Sequence, residues 1–211
     1  MEVDVQPGAL WNVFRQSFRG FVRMARCCVL RILFVDGNPS AENAVFGERL
    51  AAMEHAVAGH DVTSFCLRGK AIHSCIGCFA CWMRTPGTCI FQDDHIELLR
   101  LFLKSDVAVF ASPLIAGFYS ALLKTAIDRV IPLVLPYIEF ADGECRHPLR
   151  YGRAMPEMAF LYEPEEDTDE EDLRIVSTAF ERFARNGHTR FLFARPLSDD
   201  PEEVRHAIEH L

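Results

Sequence analysis

Two apolar runs constrain the architecture of this chain more than any other feature: residues 29–35 (VLRILFV) and residues 106–111 (DVAVFA). Each has strand length and ends at a turn signal, Asp36-Gly37 in the first case and Ser112-Pro113 in the second. A strand that is apolar on consecutive residues needs cover on both faces, the pattern of a buried parallel sheet. Between and after them the pattern alternates. Residues 42–58, 94–104, 118–135 (interrupted at Pro132), 169–186 (closed by Gly187) and 201–211 read as helices. Residues 61–67, 157–162 and 189–194 read as further strands, 68–93 as a Cys-rich loop and 136–156 as irregular. Strand–helix alternation with right-handed crossovers predicts an α/β fold: a doubly wound, five-stranded parallel sheet in three layers. Ligands of such folds sit beyond the carboxyl ends of the strands, so the loops that matter begin at Asp36, Ser112 and Glu163.

At 211 residues the chain suits one domain, and the pattern assigns residues 29–211 to it. Residues 1–28 read as an N-terminal helical extension. Trp11, Phe14, Phe18, Phe21 and Ala25 form one stripe, and Arg15, Arg19, Arg23 and Arg26 another. That pattern fits a membrane-surface or targeting helix, a helix docked on the domain, or residues upstream of a true start at Met24. No apolar run has the length of a membrane span. Lys and Arg total 22 against 30 Asp and Glu, a net charge of −8. Eight acids within residues 163–172 (EPEEDTDEED) account for the imbalance and read as a solvated loop and helix start. Nucleic acid therefore has no basic platform to bind. Eight cysteines without a secretory pattern in front of them point to a reducing cytoplasm.

Three segments carry chemistry. The first, Gly37-Asn38-Pro39-Ser40-Ala41-Glu42-Asn43, joins a strand to a helix and offers backbone N–H groups to a phosphate at a positive helix end; helix capping is the plainer use of the same residues. The second holds Cys75, Cys78 and Cys81 in two successive C-x2-C steps, followed by Cys89 after a Pro86-Gly87 turn. Four thiolates suit an iron–sulfur cluster or zinc, and three ligands so close together favour a cluster; a metal-free, redox-active or simply packed loop is the alternative. The third, Ser112-Pro113-Leu114-Ile115-Ala116-Gly117, makes an exposed turn whose backbone can edge a flat ring. Lys124 and Asp128 are spaced to pair on a helix, and Asp128-Arg129 to anchor the loop or a subunit contact. Asp93 and Asp94 read as helix caps, His147 as a surface residue and Trp82 as loop packing. No Ser-His-Asp arrangement or Walker-type loop is present.

Taken together, ILFVDGNPS, CIGCFACW with PGTC and QDD, and SPLIAG with LK and IDR resemble the flavodoxin-like NADPH-dependent FMN reductases, including their iron–sulfur flavoprotein branch. The resemblance covers roughly residues 29–140, with a weaker echo in Gly143–Tyr151. It implies FMN at the carboxyl edge of the sheet, hydride acceptance from NAD(P)H, an electron acceptor the motifs do not name, and dimers whose partner loops complete the flavin site; the apolar stretch 130–138 (VIPLVLPYI) and the following loop are expected to join a homodimer or dimer of dimers, burial inside the domain being the alternative. It implies that Gly37, Asn38, Ser40 and Asn43 hold the phosphate. Ser112, Pro113, Leu114, Ile115, Ala116 and Gly117 line the flavin ring, and Cys75, Cys78, Cys81 and Cys89 match the ligands of a [4Fe-4S] cluster. Asn38, Ala44 and Ile115 stand where the family usually has Ser, Thr or Ser, and an aromatic residue. The flavin does the redox chemistry itself, so no catalytic acid or base is expected. An electron carrier with cluster and flavin, or a non-catalytic module with degenerate loops, are the other functions this pattern admits.

Overall fold

The computed structural model describes residues 29–141 and 143–210; the extension expected over residues 1–28 lies outside them. In chain order the elements are β1 (Arg31–Asp36), α1 (Ala44–Ala56), β2 (Asp61–Cys66), α2 (Ala80–Met83), α3 (His95–Lys104) and β3 (Val107–Ile115). There follow β4 (Phe118–Tyr119), α4 (Ala121–Asp128), a 3-10 turn (Ile131–Leu133), β5 (Glu139–Ala141) and β6 (Glu144–Arg146). The chain closes with β7 (Glu157–Glu163), α5 (Glu170–Asn186), β8 (Phe191–Pro196) and α6 (Pro201–Glu209).

The five long strands are parallel and lie in the order β2-β1-β3-β7-β8. This is the doubly wound, three-layer sheet expected from the apolar runs. Because side chains alternate along a strand, each run splits between two cores. Ile32 and Phe34 of β1, Val107 and Val109 of β3, and Ala159 and Leu161 of β7 pack on α1 and α6 through Phe46, Leu50, Met53, Val204 and Ile208. Leu33, Val35, Ala108, Phe110, Met158 and Phe160 face α3, α4 and α5 through Leu98, Phe102, Leu123, Val176 and Phe180. The order of the strands reverses between β1 and β3, and the loops that follow these two strands flank that point.

The structure corrects three expectations about local elements. Residues 118–135 do not form one helix. Residues 116–117 are a two-residue turn with φ +53° and +73°, which folds β4 back on the end of β3. Ser120 then caps α4 by accepting from the Leu123 amide at 3.1 Å, and α4 ends at Asp128, before the Pro-containing 3-10 turn. The segment 136–156 contains the β5–β6 hairpin, for which Asp142-Gly143 is the readable turn signal. The Cys-rich loop contains one helical stretch, α2, which includes Cys81, the third cysteine of the motif.

Candidate functional site

The first loop leaves β1 at its carboxyl end and is tied to the second. The Gly37 amide donates to the Ala111 carbonyl at 2.7 Å, and the Ser120 hydroxyl donates to the Gly37 carbonyl at 2.6 Å. Ser112 accepts from the Ser120 amide at 2.9 Å and is fully buried. A Cβ at Gly37 would lie 2.8 Å from the Leu123 Cβ and 3.0 Å from the Ala111 carbonyl oxygen. Gly37→Ala is therefore expected to cost about 1–3 kcal/mol, the range for overpacking, read as a lower denaturant midpoint.

The side chains expected to hold a phosphate are engaged within the loop. The Asn38 side chain accepts from the Ser40 amide at 3.0 Å, and Ser40 accepts from the Glu42 amide at 3.2 Å. Asn43 caps α1 by accepting from the Phe46 amide at 3.1 Å, and its amide nitrogen donates to Glu163 at 2.6 Å. The backbone N–H groups of Ala41 and Asn43 have no acceptor among the described residues, and both lie in the turn that opens α1. Arg68 donates to the carbonyls of Asn38 at 3.0 Å and Ser40 at 3.1 Å. Sequence reasoning missed this cation. Its readable signal was position: Arg68 follows β2 by two residues, so it must fall at the same edge of the sheet.

The strand does not end at Ser112-Pro113 as the sequence suggested: β3 runs on to Ile115, with Ser112 and Leu114 buried in it and Ile115 exposed, and the turn proper is the exposed Ala116 and half-buried Gly117. The acidic segment after β7 is not simply solvated, as the sequence suggested. Glu163 meets Asn43 and also Arg49 at 3.5 Å, and Glu165 accepts from the Ala116 amide at 2.8 Å. A Cβ on Gly117 would lie 2.3 Å from the Asp172 carboxylate. Asp169 and Asp172 form a capping box at the start of α5.

All four motif cysteines line one pocket, together with Ile76, Phe79, Ile90, Phe91 and Arg129. Cys75 and Cys78 are exposed, Cys89 is half-buried and Cys81 is buried. Burial, reinforced by the neighbouring Cys89, Cys75 and Cys78, raises the Cys81 thiol above its ordinary pKa. Among the described residues no three of these side chains are already gathered at metal-binding distance. The loop is held shut by Trp82, whose indole N–H donates to the carbonyls of Ile131 at 3.1 Å and Val134 at 3.0 Å and whose ring lies 5.2 Å from that of His147.

Its other end is clamped by Asp93 and Arg129. The Arg129 guanidinium donates to Asp93 at 2.5 Å and to the His73 carbonyl at 3.1 Å. Asp93 also accepts from the backbone amides of His73 at 3.0 Å and His95 at 3.2 Å. Burial acts to raise the Asp93 pKa, but Arg129 and His73 hold it well below the usual carboxylate range. Burial likewise opposes the charge on Arg129, which Asp93 and Cys89 maintain. The expected anchoring role of Arg129 is thus present, and the Lys124–Asp128 pair forms on the surface of α4.

Comparison with known proteins bears on these loops. The model of the family described as NADPH-dependent FMN reductase matches residues 30–142, a little over half the chain. An iron–sulfur flavoprotein of Archaeoglobus fulgidus is 29% identical over 100 residues, covering 47% of this chain and 48% of the relative. One from Methanocaldococcus jannaschii is 31% identical over 105 residues, covering 49% and 53%. The chain thus spans about half the length of the curated relatives it matches. Among solved structures, an FMN-dependent NADH-azoreductase from Bacillus anthracis in complex with FMN superposes with a TM-score of 0.56 at 12% identity, covering 86% of this chain and 95% of that one. That likeness concerns the fold alone. The family match spans β1, the cysteine loop, β3 and the Asp93–Arg129 clamp together, and on that ground the chain belongs to the NADPH-dependent FMN reductase family.

Proposed function

We propose that this chain is an FMN-dependent NAD(P)H oxidoreductase whose cysteine loop carries an iron–sulfur centre. The observation that carries the flavin reading is the pair of unpaired amides, Ala41 and Asn43, at the opening of a 13-residue helix beside the strand-order reversal. A phosphate there would meet N–H donors, the positive helix end and the charge of Arg68. In this reading the side chains of Asn38, Ser40 and Asn43 act mainly by holding the loop open, with the Ser40 hydroxyl hydrogen still available to donate. The Ile115–Gly117 turn lies across from that loop and presents backbone to the ring; Ser112 and Ser120 fix the spacing between the two loops. FMN, when bound, accepts a hydride from NAD(P)H and passes electrons onward. The protein's part is to orient it and exclude water. Glu165 now occupies the Ala116 amide, so flavin at that edge competes with this carboxylate or closes over it.

Two observations support the second centre. Four thiols share one apolar-walled pocket, and the Nε of Arg129 in its wall is buried without an acceptor. Sulfur ligands of a cluster are hydrogen-bond acceptors, and a fourfold thiol donor set suits iron–sulfur or zinc. Cys75, Cys78, Cys81 and Cys89 would hold it. The relatives named as iron–sulfur flavoproteins favour the cluster over zinc.

An exposed strip supports oligomerisation in this reading. Within residues 130–138, Leu133 and Val134 are buried in the domain, but Tyr137, Ile138 and, just beyond, Phe140 are 67%, 70% and 76% exposed. Such a cluster fits a homodimer interface next to the cysteine loop. Sedimentation is expected to give a dimer or a dimer of dimers; a monomer at tens of micromolar would remove that part of the reading.

Equilibrium titration tests the flavin reading. FMN is expected to bind at one site per chain and to be weakened by Arg68→Gln. Absence of binding up to millimolar FMN refutes it, and FAD titrated in parallel shows whether only the flavin was misassigned. Iron and acid-labile sulfide in equal amounts in anaerobically purified protein support the cluster; their absence, with four freely titratable thiols in the loop, refutes it.

A further inference from the structure

We propose that Arg129 is a charged hydrogen-bond donor to the four-cysteine centre and sets its electron affinity. This rests on the reading of Cys75, Cys78, Cys81 and Cys89 as ligands of one centre, and adds a residue outside the cysteine motif.

Arginine has five N–H donors in a rigid fork. Arg129 is only 2% exposed, so each donor needs a partner within the protein. Nη1 reaches Asp93 at 2.5 Å and the His73 carbonyl at 3.1 Å, and Nη2 reaches the Phe91 carbonyl at 3.4 Å. The Nε hydrogen is buried and has no acceptor at hydrogen-bond distance among the described residues, while the Cys89 thiol stands near enough to the guanidinium to support its charge. Leaving a buried donor unpaired costs about 1–3 kcal/mol, more when the group is charged. A partner is therefore missing from this wall of the pocket.

The pocket restricts what that partner can be. Its side-chain walls, besides the cysteines and Arg129, are Ile76, Phe79, Ile90, Phe91, Ile131 and Pro132, none of which has a side-chain acceptor. Among side chains sulfur is the acceptor left, and the Cys89 sulfur already supports the charge of Arg129: the partner is a cysteine thiolate or an inorganic sulfide of the centre. A fourfold thiolate centre is an anion, which makes the contact charge-assisted. Among the residues lining the pocket Arg129 is the one cation.

The guanidinium is also held in place from several directions. Asp93 fixes it from the turn before α3, and the carbonyls of residues 73 and 91 fix it from the start and end of the cysteine loop. It lies 5.6 Å from the centre of the Phe91 ring, on which His73 stacks at 4.7 Å. Asp93 balances one positive charge, but its second oxygen is directed to the His95 amide rather than to the pocket. A fixed donor at the sulfurs favours the state with one more electron, because hydrogen bonds and net charge set a cluster's potential.

The test uses the full chain as wild type, R129Q and R129K, reconstituted anaerobically with iron and sulfide. Circular dichroism and FMN affinity check that each variant is folded. In a dithionite-poised titration one electron enters the centre and no bond is made or broken. For R129Q the reduced-to-oxidised ratio at a fixed potential is expected to fall about tenfold, a shift of about 59 mV to the negative for one electron. R129K keeps the charge but loses the fork, so it is expected to shift the same way by less. A second readout needs no cluster: cobalt(II) added to the reduced, metal-free chain reports four-thiolate binding by its charge-transfer bands. R129Q is expected to bind cobalt about tenfold more weakly, with R129K between it and wild type. Wild-type potential and cobalt affinity in R129Q overturn the proposal. Unchanged values in R129K overturn the donor assignment even where R129Q does not fold. If wild type takes up neither iron with sulfide nor cobalt, the four-cysteine reading itself has failed and this proposal with it.

Discussion

Asp93→Asn is expected to destabilise the chain by about 3–5 kcal/mol, the cost of breaking a buried ion pair by removing one partner. The side chains of Asp93 and Arg129 are 6% and 1% exposed, so the arginine left behind has no solvent to turn to. Because this clamp joins the end of the cysteine loop to the end of α4, the loss appears in the denaturant midpoint and in faster proteolysis between residues 73 and 93. The pH dependence identifies the cause. The folded Asp93 pKa lies well below the usual value, so its stabilisation is present above the unfolded pKa and is lost as pH falls through and below about 4. His95 acts in a different window. Burial lowers its pKa from 6.5 to about 4, opposed by its hydrogen bond to the Ala126 carbonyl, so the unfolded chain binds the extra proton first and stability declines as pH falls from about 6.5 to 4. Asp93→Asn is expected to keep the upper decline and lose the lower one. A variant with wild-type stability and the full acid limb would refute the clamp.

Phe180→Ala is expected to cost about 3–5 kcal/mol, the range for deleting a buried aromatic side chain. Phe180 is 1% exposed on α5. Its ring stacks on Phe160 of β7 at 4.5 Å and on Phe191 of β8 at 5.8 Å, and meets Phe110 of β3 at 5.5 Å and Tyr119 of β4 at 5.4 Å. One side chain thus ties a covering helix to four strands, and the surrounding rings cannot all collapse into the space it leaves. Urea unfolding followed by circular dichroism measures the loss; a change under 1 kcal/mol would mean that α5 is docked by other contacts.

What the sequence disclosed follows from where physical signals are local. The apolar runs at residues 29–35 and 106–111 mark strands covered on both sides, and the helices that alternate with them make a doubly wound parallel sheet legible; the strand order β2-β1-β3-β7-β8 comes from the structure. The break near residue 117 was hidden because Phe118, Leu122 and Leu123 carry helical spacing while Ala116, which adopts a left-handed backbone, gives no warning that a glycine there would. The site was legible as loops and opaque as contacts. Asn38, Ser40 and Asn43 have the residue types that bind phosphate, yet each also satisfies a turn or cap in its own loop, and sequence does not reveal which use prevails. Arg68 and the Asp93–Arg129 pair act across separations of 28 to 36 residues, beyond the reach of any local pattern. Glu165 on the Ala116 amide belongs to the same class: acidity was visible, its target was not.

Flavin held by these loops and reduced by NAD(P)H has a direct optical signature. The most direct measurement is the visible spectrum of FMN-loaded protein, freed of unbound flavin and mixed anaerobically with NADH or NADPH. The predicted result is about one flavin retained per chain, with its oxidised absorption lost on addition of one of the two nucleotides, faster than for free FMN. Protein that retains no flavin, or whose flavin spectrum neither nucleotide alters, would rule out a flavin oxidoreductase.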